Sequence, residues 1–385
     1  MTRRRVLLLS TVHPATDPRI VYKIAPSLAK EYEVFCALPH ALPNVAGDAI
    51  TMLWLPAFQR LYMRLLFSHT LLLWKCLRLR PQLVHIFVPE LIPVAVLFKW
   101  LGANVIYEVQ ENLYKKFSIK TFNNSFLFQK LFRNFDHYAR KHFALVLTED
   151  AYLNEYDKLT YPAAIVRNYA LLSFTDQYAT EAFVESKGPE IIYMGVISLE
   201  RSFDIIVTAL AALKKVYPDF KMHLFGSIRI SQNEIEKLPG YREIADNLIF
   251  HGYADQKTMF PYARRAVAGI ALLKPVADYP DSYTTKLFEY MSLKLPVITS
   301  DFPLYQDVVE QSGCGFCISP YNALLLCEKL QWFIENPDQG RQMGSNGRKS
   351  VERMYNWASE ESTLLTFYSA LHRNQHLFFS VYHLV

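Results

Sequence analysis

Asp281, Lys286 and Glu289 lie within eleven residues of one another in the segment DSYTTKLFEYM, 281–291. The spacing predicts a loop that enters a helix at about Thr285, after which the chain returns through a strand at PVITS. The first turn of such a helix has free backbone N–H groups and a positive dipole end. Both suit a diphosphate held near Tyr283, Thr284 and Thr285, with Lys286 as a mobile cation beside it. Glu289 would then accept from ribose hydroxyls and Asp281 from hydroxyls of a transferred sugar. Acidic residues in a loop and a first helical turn also serve as caps, and spacing alone leaves that reading open.

A second group sits in the first half of the chain. His13, Asp17 and Arg19 fall between a predicted first strand, RVLLLS, and a first helix. Asp17 before Pro18 suits an N-cap with proline at the first helical position, a role compatible with contact to substrate. Glu90 follows VHIFVP and Glu111 follows VIYEVQ, so both carboxylates belong at carboxyl ends of strands. Other chemistries lack their marks. No GxGxxG, HExxH, GxSxG or DxD occurs, GSNGRKS at 344–350 reads as a helix start, and nothing calls for a metal or another cofactor. Cys314 and Cys317 form a lone CxxC and read as small buried strand residues in a reducing compartment.

Short apolar runs alternate with longer amphipathic stretches along the chain, the pattern of a parallel sheet wrapped by helices. The chain has 385 residues, 51% hydrophobic and 20% charged, which is material for two cores and excludes wholesale disorder. The expected architecture is α/β, with two Rossmann-like doubly wound domains facing across a cleft. Residues 1–172 form the first and 190–356 the second, joined by a linker near 172–189. A helix and aromatic tail over 357–385 would pack back on the first domain or touch lipid. Ligands of such sheets bind at the carboxyl ends of the strands. The opening VLLL is too short for a signal-peptide core, and no run of about 20 apolar residues predicts a membrane span.

The 281–303 segment resembles the DxxxTKLFEYM…G.PVI..DFP region of family 4 glycosyltransferases of the GT-B fold. HPATDPRI, PELIPVAVLFKWLGANVIYEVQEN, IIYMGVISLERSFD, HLFGS and MGSNGRKSVERMYNW look like counterparts in family order, so the resemblance covers nearly everything except the tail. It implies that Asp281 and Glu289 hold a nucleotide-diphosphate sugar and that Gly195 to Arg201 faces its phosphates. Arg201 is the candidate cation there. The family's usual arginine after the strand glycine is replaced by Val196, and its Lys-Gly by Arg201-Ser202. Gly226 would let backbone pass close to the nucleotide, with Tyr253 near the base. Relatives usually read VHE where this chain reads Val109, Gln110, Glu111. Gln110 can hydrogen-bond a sugar hydroxyl and cannot shuttle a proton.

The resemblance therefore implies a retaining transferase, acting on an oligosaccharide or lipid-linked acceptor in surface polysaccharide or glycan synthesis. A non-catalytic partner subunit and a sugar-nucleotide epimerase are the alternatives on the same fold. Lys and Arg total 41 against 36 Asp and Glu, a net +5. Between Asp48 and Glu90 stand Arg60, Arg64, Lys75, Arg78 and Arg80 with no acid. Between Glu111 and Asp136 stand Lys115, Lys116, Lys120, Lys130 and Arg133. Interleaved with Leu, Phe, Tyr and Trp, these predict an anionic membrane surface as partner and a cytoplasmic, peripheral location, with ordinary solvated helix faces as the alternative reading. No nucleic-acid-binding motif accompanies them.

Overall fold

A computed structural model describes residues 3–42, 49–116, 126–156, 159–179 and 188–373. Lys120, residues 180–187 of the expected linker and the aromatic tail from residue 374 lie outside them. The chain divides into two compact units, Met1–Asn168 with Ala358–Val385, and Tyr169–Trp357.

The first unit is a parallel sheet of seven strands: β1 (Arg5–Leu9), β2 (Glu33–Pro39), β3 (Ile50–Leu55), β4 (Leu83–Ile86), β5 (Asn104–Val109), β6 (Ala144–Leu147) and β7 (Ala163–Ile165). Their order is β3-β2-β1-β4-β5-β6-β7. The second unit has six parallel strands: β8 (Glu190–Met194), β9 (Lys221–Phe225), β10 (Leu248–Gly252), β11 (Ala266–Ala271), β12 (Val297–Ser300) and β13 (Gly315–Ile318). Their order is β10-β9-β8-β11-β12-β13. In each sheet the strand order reverses beside its first strand, between β1 and β4 and between β8 and β11. Loops part at such a point and leave a crevice at the carboxyl ends of the strands. Most of the residues selected from sequence sit on those loops. The doubly wound α/β architecture read from sequence is the observed one.

Strands buried on both faces explain the near-continuous Leu, Ile and Val runs. Leu7, Leu9, Val84, Ile86, Val105 and Leu145 join one core of the first unit, while Ile191, Leu224, Ile270 and Ile298 join one of the second. Two local expectations are corrected. Residues 172–179 of the expected linker form the helix Leu172–Ala179, because Phe174 and Tyr178 face one way and pack edge-on against Phe260. GSNGRKS lies inside the helix Pro337–Arg353 rather than at a helix start. Its glycines serve contact: a Cβ at Gly344 would stand 2.0 Å from the Lys294 carbonyl oxygen, and one at Gly347 3.2 Å from the Met291 side chain.

The helix Trp357–Arg373 belongs to the first unit from Ala358 onward. Tyr368 is fully buried, with its hydroxyl 2.6 Å from His85 Nδ1 and its ring edge-on to Tyr32. Glu360 accepts from the Arg167 backbone N–H at 2.6 Å, and Asn104 donates to the Leu371 carbonyl at 3.3 Å. Tyr368→Ala is expected to cost about 3–5 kcal/mol, the usual range for deleting a buried aromatic. Hydrogen exchange should show lost protection at Val84–Ile86 and unchanged protection at β8 and β9.

Candidate functional site

In the second unit, β8 is followed directly by Gly195 at φ +123° and β9 by Gly226 at φ +139°. Both angles favour glycine, and at Gly226 the packing requires it as well. A Cβ at Gly226 would lie 2.0 Å from the Gly195 carbonyl oxygen. A Cβ at Gly195 would stand 3.1 Å from Arg201 Nη1 and 3.6 Å from Lys286 Nζ. Two cations from different loops thus converge on the bare backbone at the end of a central strand.

Arg201 closes the short turn Leu199–Arg201. Ser202 follows at φ +58°, a left-handed backbone that favours glycine and that a serine occupies here at some cost. The Glu200 carbonyl accepts from the Lys274 N–H at 2.8 Å, and Lys274 Nζ reaches both Asp204 oxygens at 2.8 and 2.9 Å. The loops after β8 and β11 are thereby tied together on either side of the switch point.

Lys286 comes from the first turn of the helix Thr285–Ser292. That helix is fixed by Tyr290, whose hydroxyl accepts from the Met194 N–H at 2.9 Å and whose ring covers Gly269. Thr284 stands at the N-cap without a side-chain cap bond. Lys286 is only 3% exposed, its ammonium lies 3.7 Å from the Tyr193 ring centroid, and among the described residues no group hydrogen-bonds to it. Burial and the neighbouring Arg201 charge push it well below the ordinary lysine value, against the pull of Glu289. A buried cation with only a ring face to offset lost hydration is costly unless an anion joins it.

The other residues expected on the donor side stand nearby or at the edge of the sheet. Glu289 accepts from Gln256 Nε2 at 2.5 Å, a partner the sequence did not reveal. Asp281 ends the short turn Tyr279–Asp281, half-buried. Tyr283 packs its ring against Phe288 and Tyr169, Thr284 is half-buried, and Thr285 is exposed. Tyr253 is 71% exposed beyond the edge strand β10 and is not part of the cluster around Gly195.

In the first unit, Asp17 caps the first helix by accepting from the Arg19 and Ile20 N–H groups at 3.0 and 2.9 Å. His13 Nδ1 meets Ser10 Oγ at 2.8 Å. Glu90 is held by Arg64 through two contacts of 2.7 Å and by the Thr11 hydroxyl, so Arg64 serves the interior rather than the surface. Glu111 is exposed. The carboxylate at the heart of this unit is Glu108, which sequence reasoning missed. It is 1% exposed and takes Arg19 Nε and Nη2 at 2.8 and 3.2 Å, Gln110 Nε2 at 2.7 Å, and His85 Nε2 at 3.5 Å. Burial alone would raise Glu108, yet the Arg19 guanidinium and His85 hold it far below the usual carboxylate range. A charged residue in the middle of the buried run NVIYEV was the available signal.

Residues 176–350 match the family described as "Glycosyl transferases group 1". The chain is 22% identical over 195 residues to spore coat protein SA of Bacillus subtilis strain 168, a match covering 46% of this chain and about half (48%) of that relative. Sucrose-phosphate synthase from Thermosynechococcus elongatus has the same fold, with TM-score 0.75 and 17% identity over 96% of this chain and all of that one. So does Anabaena Alr3699/HepE in complex with UDP-glucose, with TM-score 0.66 and 12% identity over 96% of this chain and all of that one. The GT-B resemblance carried by the 281–303 segment is borne out by the fold and by the match over the second unit.

Between the lowered pKa of Lys286 and the ordinary lysine value, the unfolded chain binds more protons than the folded one. Stability of the ligand-free protein therefore rises with pH across that window. Lys286→Met should flatten the rise and add roughly 1–3 kcal/mol near neutral pH, the worth of one unmet polar group. Urea unfolding at a series of pH values measures both effects.

Proposed function

We propose that the protein is a glycosyltransferase whose second unit binds a nucleotide-diphosphate sugar. The observation that carries this reading is the unpaired, buried ammonium of Lys286 beside Arg201 and the bare backbone of Gly195. A diphosphate there receives two cations and the N–H groups of an uncapped helix start, placed where negative charge grows as the sugar departs. The group 1 match over 176–350 and the UDP-glucose named with the Anabaena relative support the same substrate class.

The bond from the anomeric carbon to the phosphate oxygen breaks, and a bond from that carbon to an acceptor hydroxyl oxygen forms. The hydroxyl proton passes to the departing phosphate, and configuration is retained. Asp281 and Glu289 accept from sugar and ribose hydroxyls. No cofactor or metal enters this scheme. Thermal shift against UDP- and GDP-sugars identifies the donor, since a ligand at one hundred times its Kd adds about 2.7 kcal/mol. Arg201→Ala and Lys286→Met should each weaken binding at least tenfold. Binding equal to wild type in both variants would overturn the assignment. Product analysis separates transfer from epimerisation, which releases an altered donor without acceptor, and from a partner subunit, which binds without turnover.

We further propose that the acceptor is an oligosaccharide or a lipid-linked glycan of surface polysaccharide synthesis, reached from the cytoplasmic face of the membrane. Leu66 and Trp74 are 63% and 61% exposed on the helical segment 61–76, with Tyr62, Leu65 and Phe67 also at the surface. Arg78 sits over the Trp74 ring and Lys75 over Trp54. Apolar and aromatic groups flanked by cations suit an interface with anionic headgroups. Among the described residues no helix is long and apolar enough to cross a membrane. Vesicles containing phosphatidylglycerol should sediment the wild type and release it with rising salt. Leu66→Ser with Trp74→Ser should remain in the supernatant.

A further inference from the structure

The sequence leaves both ends of the Gln110 amide available, and the structure does not. Gln110 follows β5 at the carboxyl edge of the first sheet, partly exposed, with its backbone carbonyl accepting from the Tyr152 hydroxyl at 3.4 Å. Its side-chain nitrogen lies 2.7 Å from Glu108 Oε1. Glu108 faces the Arg19 guanidinium through both oxygens and is ionised, and an ionised carboxylate only accepts. The amide nitrogen must therefore face Glu108, which leaves the carbonyl oxygen on the opposite end of a planar group. Among the described residues nothing hydrogen-bonds to that oxygen.

The carboxylate is itself held from three sides. Arg19 Nη2 donates at 2.7 Å to the Val166 carbonyl, which fixes the guanidinium. His85 turns Nε2 toward Glu108 and so carries its proton there, leaving Nδ1 to accept from the Tyr368 hydroxyl at 2.6 Å. Rotating the Gln110 amide by half a turn would bring two oxygens together at the same buried point.

We propose that Gln110 reads a donating hydroxyl of the acceptor substrate with its carbonyl oxygen, and that Glu108 is the positioning residue that fixes this orientation. The proposal rests on the glycosyl-transfer reading and deepens its acceptor side. It assigns the strand end a neutral, donor-blind contact, one that selects a hydroxyl hydrogen and gives no help in taking the proton.

The test uses the full chain, the radiolabelled nucleotide sugar that binds in the donor screen, and a membrane and glycan extract from cells lacking this protein as the acceptor source. Gln110→Met keeps length and removes both polar ends. Its apparent KM for the extract should rise about three- to tenfold, the worth of one net hydrogen bond, with kcat within twofold and donor Kd unchanged. Glu108→Gln lets the amide turn and should raise the same KM. Gln110→His is the rescue, because Nδ1–H can face Glu108 while Nε2 accepts, and it should return KM toward wild type. Donor Kd and the unfolding midpoint report a purely structural effect, which would move both and would not separate Met from His. Wild-type acceptor KM in Gln110→Met overturns this proposal and leaves the donor reading standing. Absence of nucleotide-sugar binding in the wild type overturns the reading and the proposal together.

Discussion

A lysine side chain buried against a tyrosine ring, with no acceptor for its three N–H bonds among the described residues, is the tension around which the second unit is built. Dehydrating an ammonium costs several kcal/mol in practice. A folded chain keeps that cost only where the surroundings over-determine the geometry. They do so here. Tyr290 locks the helix to the end of β8, and the salt bridge between Lys274 and Asp204 holds the neighbouring loops. Two glycines bring backbone to the same point. The site is pre-organised, so the proposed diphosphate would gain electrostatic stabilisation without first ordering the groups that provide it.

The first unit handles buried charge in the opposite way. Arg19 and Glu108 are a matched pair, with Arg19 also donating to the Val166 carbonyl and Glu108 also accepting from Gln110, and with His85 Nε2 3.5 Å away. Removing either member alone would strand the other, whereas the intact pair is close to neutral in stability. The pair contributes definition more than strength: it specifies the exit of β5, the start of the first helix and the seat of the returning helix with one set of contacts. Charge is left unsatisfied where the donor is expected and satisfied where the acceptor is expected.

Much of this was legible beforehand because it depends on local pattern. Strand and helix alternation located the loops at the carboxyl edges, and those loops carry most of the selected residues. The Asp17-Pro18 pair read as a helix start and is one. What was hidden depends on tertiary approach. The contact of Gly226 with Gly195 joins residues thirty-one positions apart, and Gln256 reaches Glu289 across thirty-three. The glycines of 344–350 read as a helix start rather than a helix interior, because their purpose, close packing of one helix on its neighbours, leaves no mark in their own segment. Glu108 was passed over in favour of Glu111, since a carboxylate inside a buried strand has meaning only once Arg19 is seen beside it.

The return of the chain to its first unit also bears on biogenesis. His85 and Tyr368 are separated by 283 positions. At about 5–20 residues per second, a ribosome needs roughly 15–60 s to travel that distance. Throughout that interval the emerging amino-terminal sheet lacks a wall of its core, and the whole of the intervening unit, contiguous from Tyr169 to Trp357, is synthesised before Tyr368 arrives. The last residue of the second unit is therefore made before the last element of the first unit. A nascent chain of this design spends its early life exposing Tyr32 and His85 to whatever chaperones meet it.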